Sequence, residues 1–165
     1  MPRNVSVVPR IGSDSLAQRQ AEKVALSIVA AELGLAHVET QKRFSIGPAA
    51  AIVDAFAEST DEVVLLEVNA RVSSAMKTAT KNKVLKDTLK MLLIEQANAA
   101  AWQGKRVRKL LVFLDPIARA SFGPKAWANQ AWDAFGVETH VCAIPDAHRV
   151  ALIAAQAAQD LRADG

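Results

Sequence analysis

Cysteine is almost absent: Cys142 is the only one, which excludes an intrachain disulfide and a cysteine-based zinc cluster and agrees with a reducing compartment. Long apolar runs are missing too. No segment is long and charge-free enough to span a bilayer, and the opening MPRNVSVVPRIGSD has arginines but no apolar stretch of signal-peptide length. The expectation is a soluble, cytoplasmic protein with no membrane partner. G-x-G-x-x-G, the P-loop and G-x-S-x-G do not occur, which argues against dinucleotide binding, P-loop NTP hydrolysis and an α/β-hydrolase. His37, His140 and His148 lack the spacing of a zinc site and read as ordinary strand and helix residues. Repeats, low-complexity tracts and linkers are absent. The 165 residues read as one domain spanning 1–165, with 1–13 a flexible N-terminal segment.

What is present is an uneven distribution of charge. Between Arg71 and Lys90 stand Arg71, Lys77, Lys81, Lys83, Lys86 and Lys90 against Asp87 alone, a local net charge of +5 within a chain of +3. Such a run reads either as a solvated helix face or as a phosphate-binding surface.

Hydrophobic periodicity supplies the elements. Ser15 and Gln18 have capping-box spacing, apolar residues recur at helical intervals to Val29, and Gly34 gives a stop, so a first helix is expected over 15–33. Strands follow at 37–46, 50–58 and 62–70, separated by Gly47-Pro48 and by Ser59-Thr60-Asp61. A second helix begins between Ser74 and Lys81 and runs to about Trp102, with Leu85, Leu89, Leu92 and Leu93 inward and its lysines elsewhere. KLLVFLDP, 109–116, is a strand buried on both faces, followed by a helix over 124–135, a strand over 137–145 and a helix over 146–162. Close spacing makes the first three strands antiparallel, and the long helix between the third and fourth allows a right-handed parallel crossover. Trp102, Trp127 and Trp132 are expected to pack helices on the sheet, and Cys142 to be a small core residue.

Two carboxylates fall on these strands. Period 2 places Asp54 with Ile52, Phe56 and Glu58 on one face of the second strand, and Glu67 with Val63, Leu65 and Asn69 on one face of the third. An even-numbered loop at 59–62 makes paired residues sum to 121 and sets Asp54 across from Glu67; a three-residue loop puts them on opposite faces. Opposed like charges about 5 Å apart are destabilising unless compensated. A shared proton or a divalent cation would reconcile them, and so would simple hydration or pairing with Arg71 and the helix lysines.

AAIVDAFAE followed by EVVLLEVNA, in an α-β-β-β-α-β order, resembles the PD-(D/E)XK, or restriction-endonuclease-like, phosphodiesterase superfamily. The resemblance covers most of the chain. It implies an α/β fold ordered α-β-β-β-α-β-α-β-α, with a mixed sheet and helices on both faces. Asp54 and Glu67 would bind Mg²⁺ or Mn²⁺, with Glu22, or second Glu32, contributing from the first helix. Asn69 stands at the position of the motif lysine and cannot act as a base or carry positive charge; Lys77, Lys81 or Lys83 would substitute from the following helix. The function implied is a metal-dependent nuclease acting on DNA or RNA, with Arg71, Lys77, Lys81, Lys83 and Lys86 meeting the phosphate backbone. The alternative is a catalytically inactive domain of the same fold that binds nucleic acid or a protein. A homodimer using the alanine-rich last helix is a third reading. Asp115, at the end of the fourth strand, ranks second as a site residue.

Overall fold

The computed structural model describes residues 13–163, so the flexible segment expected at 1–13 lies, apart from Ser13, outside the described residues. The order is α1 (Ser13–Glu32), β1 (Glu39–Ile46), β2 (Ala49–Glu58), β3 (Glu62–Asn69), α2 (Thr78–Ala97), β4 (Arg106–Phe113), α3 (Pro116–Ala120), α4 (Trp127–Ala134), β5 (Val137–Val141) and α5 (Asp146–Ala163). One five-stranded sheet runs in sequence order. The β1–β2 and β2–β3 pairs are antiparallel, and β3–β4 and β4–β5 are parallel. The protein is therefore a mixed α/β fold in which a meander joins a helix-connected parallel half at β3. None of the described helices is long and apolar enough to cross a membrane.

Most element limits follow their local signals. Gly34, at φ +64°, ends α1 while Leu35 N–H donates to Ala30 O at 2.8 Å and Gly34 N–H to Ala31 O at 3.1 Å, the paired closure that a left-handed glycine permits. Helix α3 was not anticipated. Asp115 and Pro116 stop the strand as expected, but Asp115 Oδ1 also accepts from Ile117 N–H at 2.7 Å and so caps a short helix.

Helices cover both faces of the sheet. On one, Val63, Leu65, Leu111 and Phe113 meet Val84, Met91 and Ile94 of α2 and Trp132 of α4. On the other, Val64, Leu66, Val68, Leu110 and Val112 meet Ala21, Ala25 and Val29 of α1 and Leu152 of α5. Strand β3, buried along both faces, is the spine of the molecule.

Two packing expectations are corrected. Helix α2 buries Val84, Thr88, Met91 and Ile94, with Leu85 and Leu92 half-buried against the core as expected, whereas Leu89 and Leu93 are exposed; the buried stripe is rotated from those two leucines toward Lys83 and Lys90. Trp102 and Trp132 are buried, but Trp127 is 69% exposed at the start of α4 and packs nothing against the sheet.

Candidate functional site

The β2–β3 register is the one the even-numbered loop predicts, with Glu58↔Val63, Phe56↔Leu65 and Ala55↔Leu66. Ser59 closes the turn by donating its N–H to Glu62 O at 2.8 Å and accepting from Glu62 N–H at 3.1 Å. The expected next pair, Asp54 across from Glu67, does not form, because pairing stops at Ala55. On the other side of β2, Thr40↔Ala55 and Lys42↔Val53 pair, while Gln41 and Asp54 between them do not. Gln41 has φ +52°, outside strand geometry. Both ladders are thus broken at Asp54, and period 2 breaks with them. Val53 and Phe56 reach the α2 side of the sheet, whereas Ala55 and Ala57 reach the α1 side.

The carboxylate of Asp54 fills the break. Its Oδ1 accepts from Gln41 Nε2 at 3.2 Å and its Oδ2 from Val68 N–H at 2.9 Å. A side chain here replaces the strand's backbone partners and is fixed from both neighbouring strands.

Glu67 is 2% exposed on the α2 side. Burial, reinforced by the charge of Asp54 and opposed by Lys90, pushes its pKa up to about 8. Lys90 Nζ stands 2.6 Å from Glu67 Oε1, yet no donor meets that oxygen within hydrogen-bond angles, so the contact is an ion pair and not a directed bond. Lys90 also reaches Asp87 Oδ1 at 3.2 Å, and Asp87 Oδ2 accepts from Lys83 Nζ at 2.7 Å. Burial works against the Lys83 ammonium, but Asp87, Asp54 and Glu67 hold its pKa above the ordinary lysine value.

From α1, Glu22 feels the same cluster. Burial raises its pKa, Asp54 raises it further, and the hydrogen bond from Gln18 Nε2 at 2.8 Å together with Lys83 works the other way. Glu32, the second choice on this helix, instead faces His140 at 2.9 Å at the helix's other end. The structure therefore brings together Asp54, Glu67, Glu22 and Lys83 of the expected residues and adds Asp87, Lys90 and Gln41. The signal for Lys83, Asp87 and Lys90 was their 4- and 3-residue spacing, which puts them on one helical stripe. Among the described residues, no group of three or more His, Cys, Asp or Glu is placed to hold a metal. A cation here would rest on two carboxylates and water.

The other expected residues lie elsewhere. Asn69 Oδ1 accepts from Arg71 N–H at 3.2 Å, which ties the amide to the turn leaving β3. Lys77 pairs with Asp160 of α5 at 2.8 Å, and Lys81 lies over the Phe122 ring at 5.9 Å. Arg71 donates to Ser74 Oγ at 3.0 Å. The basic run is thus split around α2. Arg71 and Lys83 line a cavity of about 190 Å³ with Gln18, Asn69 and Gln156, whereas Lys86 lines an apolar groove between α2 and α4.

Asp115 is fully buried but separate. It accepts from Ser73 N–H at 2.9 Å and pairs with Arg149 of α5. Burial pushes its pKa up, and the Ser73 and Ile117 N–H groups with Arg149 more than offset that, leaving it below the usual aspartate value. It joins the β3–α2 loop, α3 and α5.

No protein-family model matches the chain, and no curated protein matches it. Two solved structures resemble it. One is a protein of unknown function, AF1548, with 12% identity over 76% of this chain and 58% of that chain, at a TM-score of 0.49. The other is protein VC1899 from Vibrio cholerae, with 11% identity over 87% of this chain and 32% of that chain, at a TM-score of 0.39. The chain spans less than two thirds of either protein.

Proposed function

We propose that this chain is a restriction-endonuclease-like domain that uses Asp54 and Glu67 for metal-dependent hydrolysis of DNA or RNA phosphodiesters. One observation carries the reading: a carboxylate fixed at the break in β2 faces a buried carboxylate on β3 whose pKa is raised first by burial and then by that neighbour, with the Lys83 and Lys90 ammonium groups on the same cluster. The element order agrees, apart from the added α3.

Two hard oxygen donors with water suit Mg²⁺ or Mn²⁺, and Glu67 Oε1, buried with no directed hydrogen bond, would exchange its contact with the Lys90 ammonium for the ion. Asp54 and Glu67 would hold the ion and Glu22 would assist through water. Bound there, it would polarise a phosphoryl oxygen and lower the pKa of a water. The chain's own groups do the rest. Gln41 and the Val68 N–H orient Asp54, and Lys83, charged and 56% exposed along its side chain, supplies from α2 the positive charge that Asn69 lacks.

A second reading, a domain that binds nucleic acid or a protein without cutting, is favoured by Lys90 standing where a cation would compensate Glu67. Cleavage of mixed DNA and RNA in Mg²⁺ or Mn²⁺ separates the two. Turnover lost in both Asp54→Ala and Glu67→Ala supports the nuclease, and turnover surviving both sinks it. Polyanion binding without turnover, with cleavage gained in Asn69→Lys, supports the second reading.

A further inference from the structure

A cavity of about 990 Å³ is lined by residues of β4, α3, α4 and β5, none of them in the carboxylate cluster. Its most unusual wall residue is Arg119. Its Nε donates to Thr139 Oγ1 at 3.1 Å and its Nη2 to Asn129 Oδ1 at 3.0 Å. Asn129 is itself held by donating Nδ2–H to Gly123 O at 2.8 Å. The guanidinium lies 5.1 Å from the centre of the Trp132 ring. No carboxylate among the described residues forms an ion pair with it. Burial depresses its pKa, with only the more distant charge of Asp133 opposing the shift.

A guanidinium has five N–H donors, and two are used. Neutral partners orient this half-buried cation, and with no acceptor among the described residues for its other donors, only the Trp132 and Phe113 rings and the charge of Asp133 offset it. The neighbouring Arg108 is different, because Glu138 engages it at both Nε and Nη2, at 2.8 and 2.7 Å. Arg106 is a third guanidinium on the wall, 3.9 Å from Glu62 and 71% exposed along its side chain.

We propose that this cavity binds a small phosphate-bearing organic anion, anchored by Arg119. The planar fork suits a phosphate oxygen pair. Three guanidinium groups against the carboxylates of Asp133 and Glu138 leave the wall with a net charge of +1, which favours an anion, and Arg119 is the guanidinium with no carboxylate of its own. The volume is that of a small-molecule pocket, with room beyond the phosphate for an organic part against Phe122. This site is independent of the Asp54–Glu67 chemistry.

Calorimetric titration of the full chain with inorganic phosphate, adenosine monophosphate and citrate, at constant ionic strength, tests the assignment. Phosphate is expected to bind, adenosine monophosphate to bind more tightly and citrate to bind least. Arg119→Lys should weaken adenosine monophosphate at least about tenfold, since an ammonium cannot reproduce the fork. Arg106→Ala, at a position 71% exposed along its side chain, should weaken it about threefold and serves alone should Arg119→Lys fail to fold. No heat with phosphate or adenosine monophosphate at about 10 mM, affinity unchanged in the folded variants, or citrate binding as tightly as phosphate would each overturn the proposal.

Discussion

Lys90 of α2 stands 2.6 Å from Glu67 of β3, and it is the acid, 2% exposed, that carries the burial while the base keeps a quarter of its side chain in solvent. A second pair between the same helix and the sheet has the opposite polarity. Lys109 of β4, 3% exposed, pairs with Glu95 of α2. The two pairs fix the rotation of α2 over the sheet, since turning the leucine stripe inward would bury Leu89 and Leu93 and strand Glu67 and Lys109 without partners. Removing the half-exposed member of either pair, Lys90 or Glu95, is costly wherever its buried partner is charged, because that charge is left in an apolar setting.

Glu67 makes stability fall with rising pH. Its folded pKa of about 8 lies above the ordinary 4.5, so between those values the native state holds a proton that the unfolded chain has released. The contribution is complete below about pH 4.5, declines as pH rises toward 8 and is gone above it, with a limiting slope of about 1.4 kcal/mol per pH unit. Glu67→Gln should flatten that part of a melting-temperature profile and melt above the parent at pH 9. A parent profile that rises from pH 5 to pH 8 contradicts the assignment.

Lys90→Met removes the partner and keeps the stem. Glu67 then faces Asp54 uncompensated, so its ionised form is penalised more heavily. Chemical denaturation should show a loss of about 1–3 kcal/mol at pH 9 and a smaller loss at pH 6, where Glu67 is protonated. An equal loss at both pH values would mean that compensating the Glu67 charge is not what Lys90 contributes.

Asp115 acts in the reverse direction. Its folded pKa is lowered, so its contribution is present above the ordinary aspartate pKa of 3.8 and is lost as pH falls through the folded value. Asp115→Ala abolishes the α3 cap, takes the acceptor from the Ser73 N–H and leaves Arg149 with Ser73 Oγ but no carboxylate. The expected cost at pH 7 is about 2–4 kcal/mol. The parent should begin acid unfolding below pH 4, with the variant's deficit narrowing there.

The strands, the β2–β3 register and the pairing of Asp54's neighbours were legible because period 2 and an even-numbered loop leave few alternatives. Their continuation to Asp54 was not, because alternation assumes an unbroken ladder and nothing in QKRFSI marks Gln41 as left-handed. A glycine would have done so; glutamine adopts φ +52° here while its amide holds the Asp54 carboxylate. The leucine pattern of α2 also misled, since Leu89 and Leu93 suggest an inward face only if the charged stripe is assumed to point outward. Burying Lys90 against Glu67 is a tertiary effect. Local sequence shows the lysine and the acid but not that they share a location.

On the nuclease or nucleic-acid-binding reading, the basic run divides into two functional halves. Arg71 and Lys83 open onto the cavity at the end of β3, lined also by Val68 and Asn69, whereas Lys81 sits over Phe122 and Lys86 borders the groove between α2 and α4. On this reading a strand lying in that cavity neutralises its phosphates with the first pair, while the second pair borders other surfaces. Arg71→Ala and Lys83→Ala should each weaken single-stranded DNA binding and reduce the slope of log affinity against log salt by about 0.7 per lost phosphate contact. Lys81→Ala with Lys86→Ala should change neither. Lys83→Ala carries the sharper consequence, because it also removes a charge coupled to Asp54 and Glu67, so any Mg²⁺-dependent cleavage should fall further than binding does. If Lys81 and Lys86 prove to set the salt slope, the nucleic acid lies across the α2–α4 groove, and the Asp54–Glu67 cluster is not where it is cut.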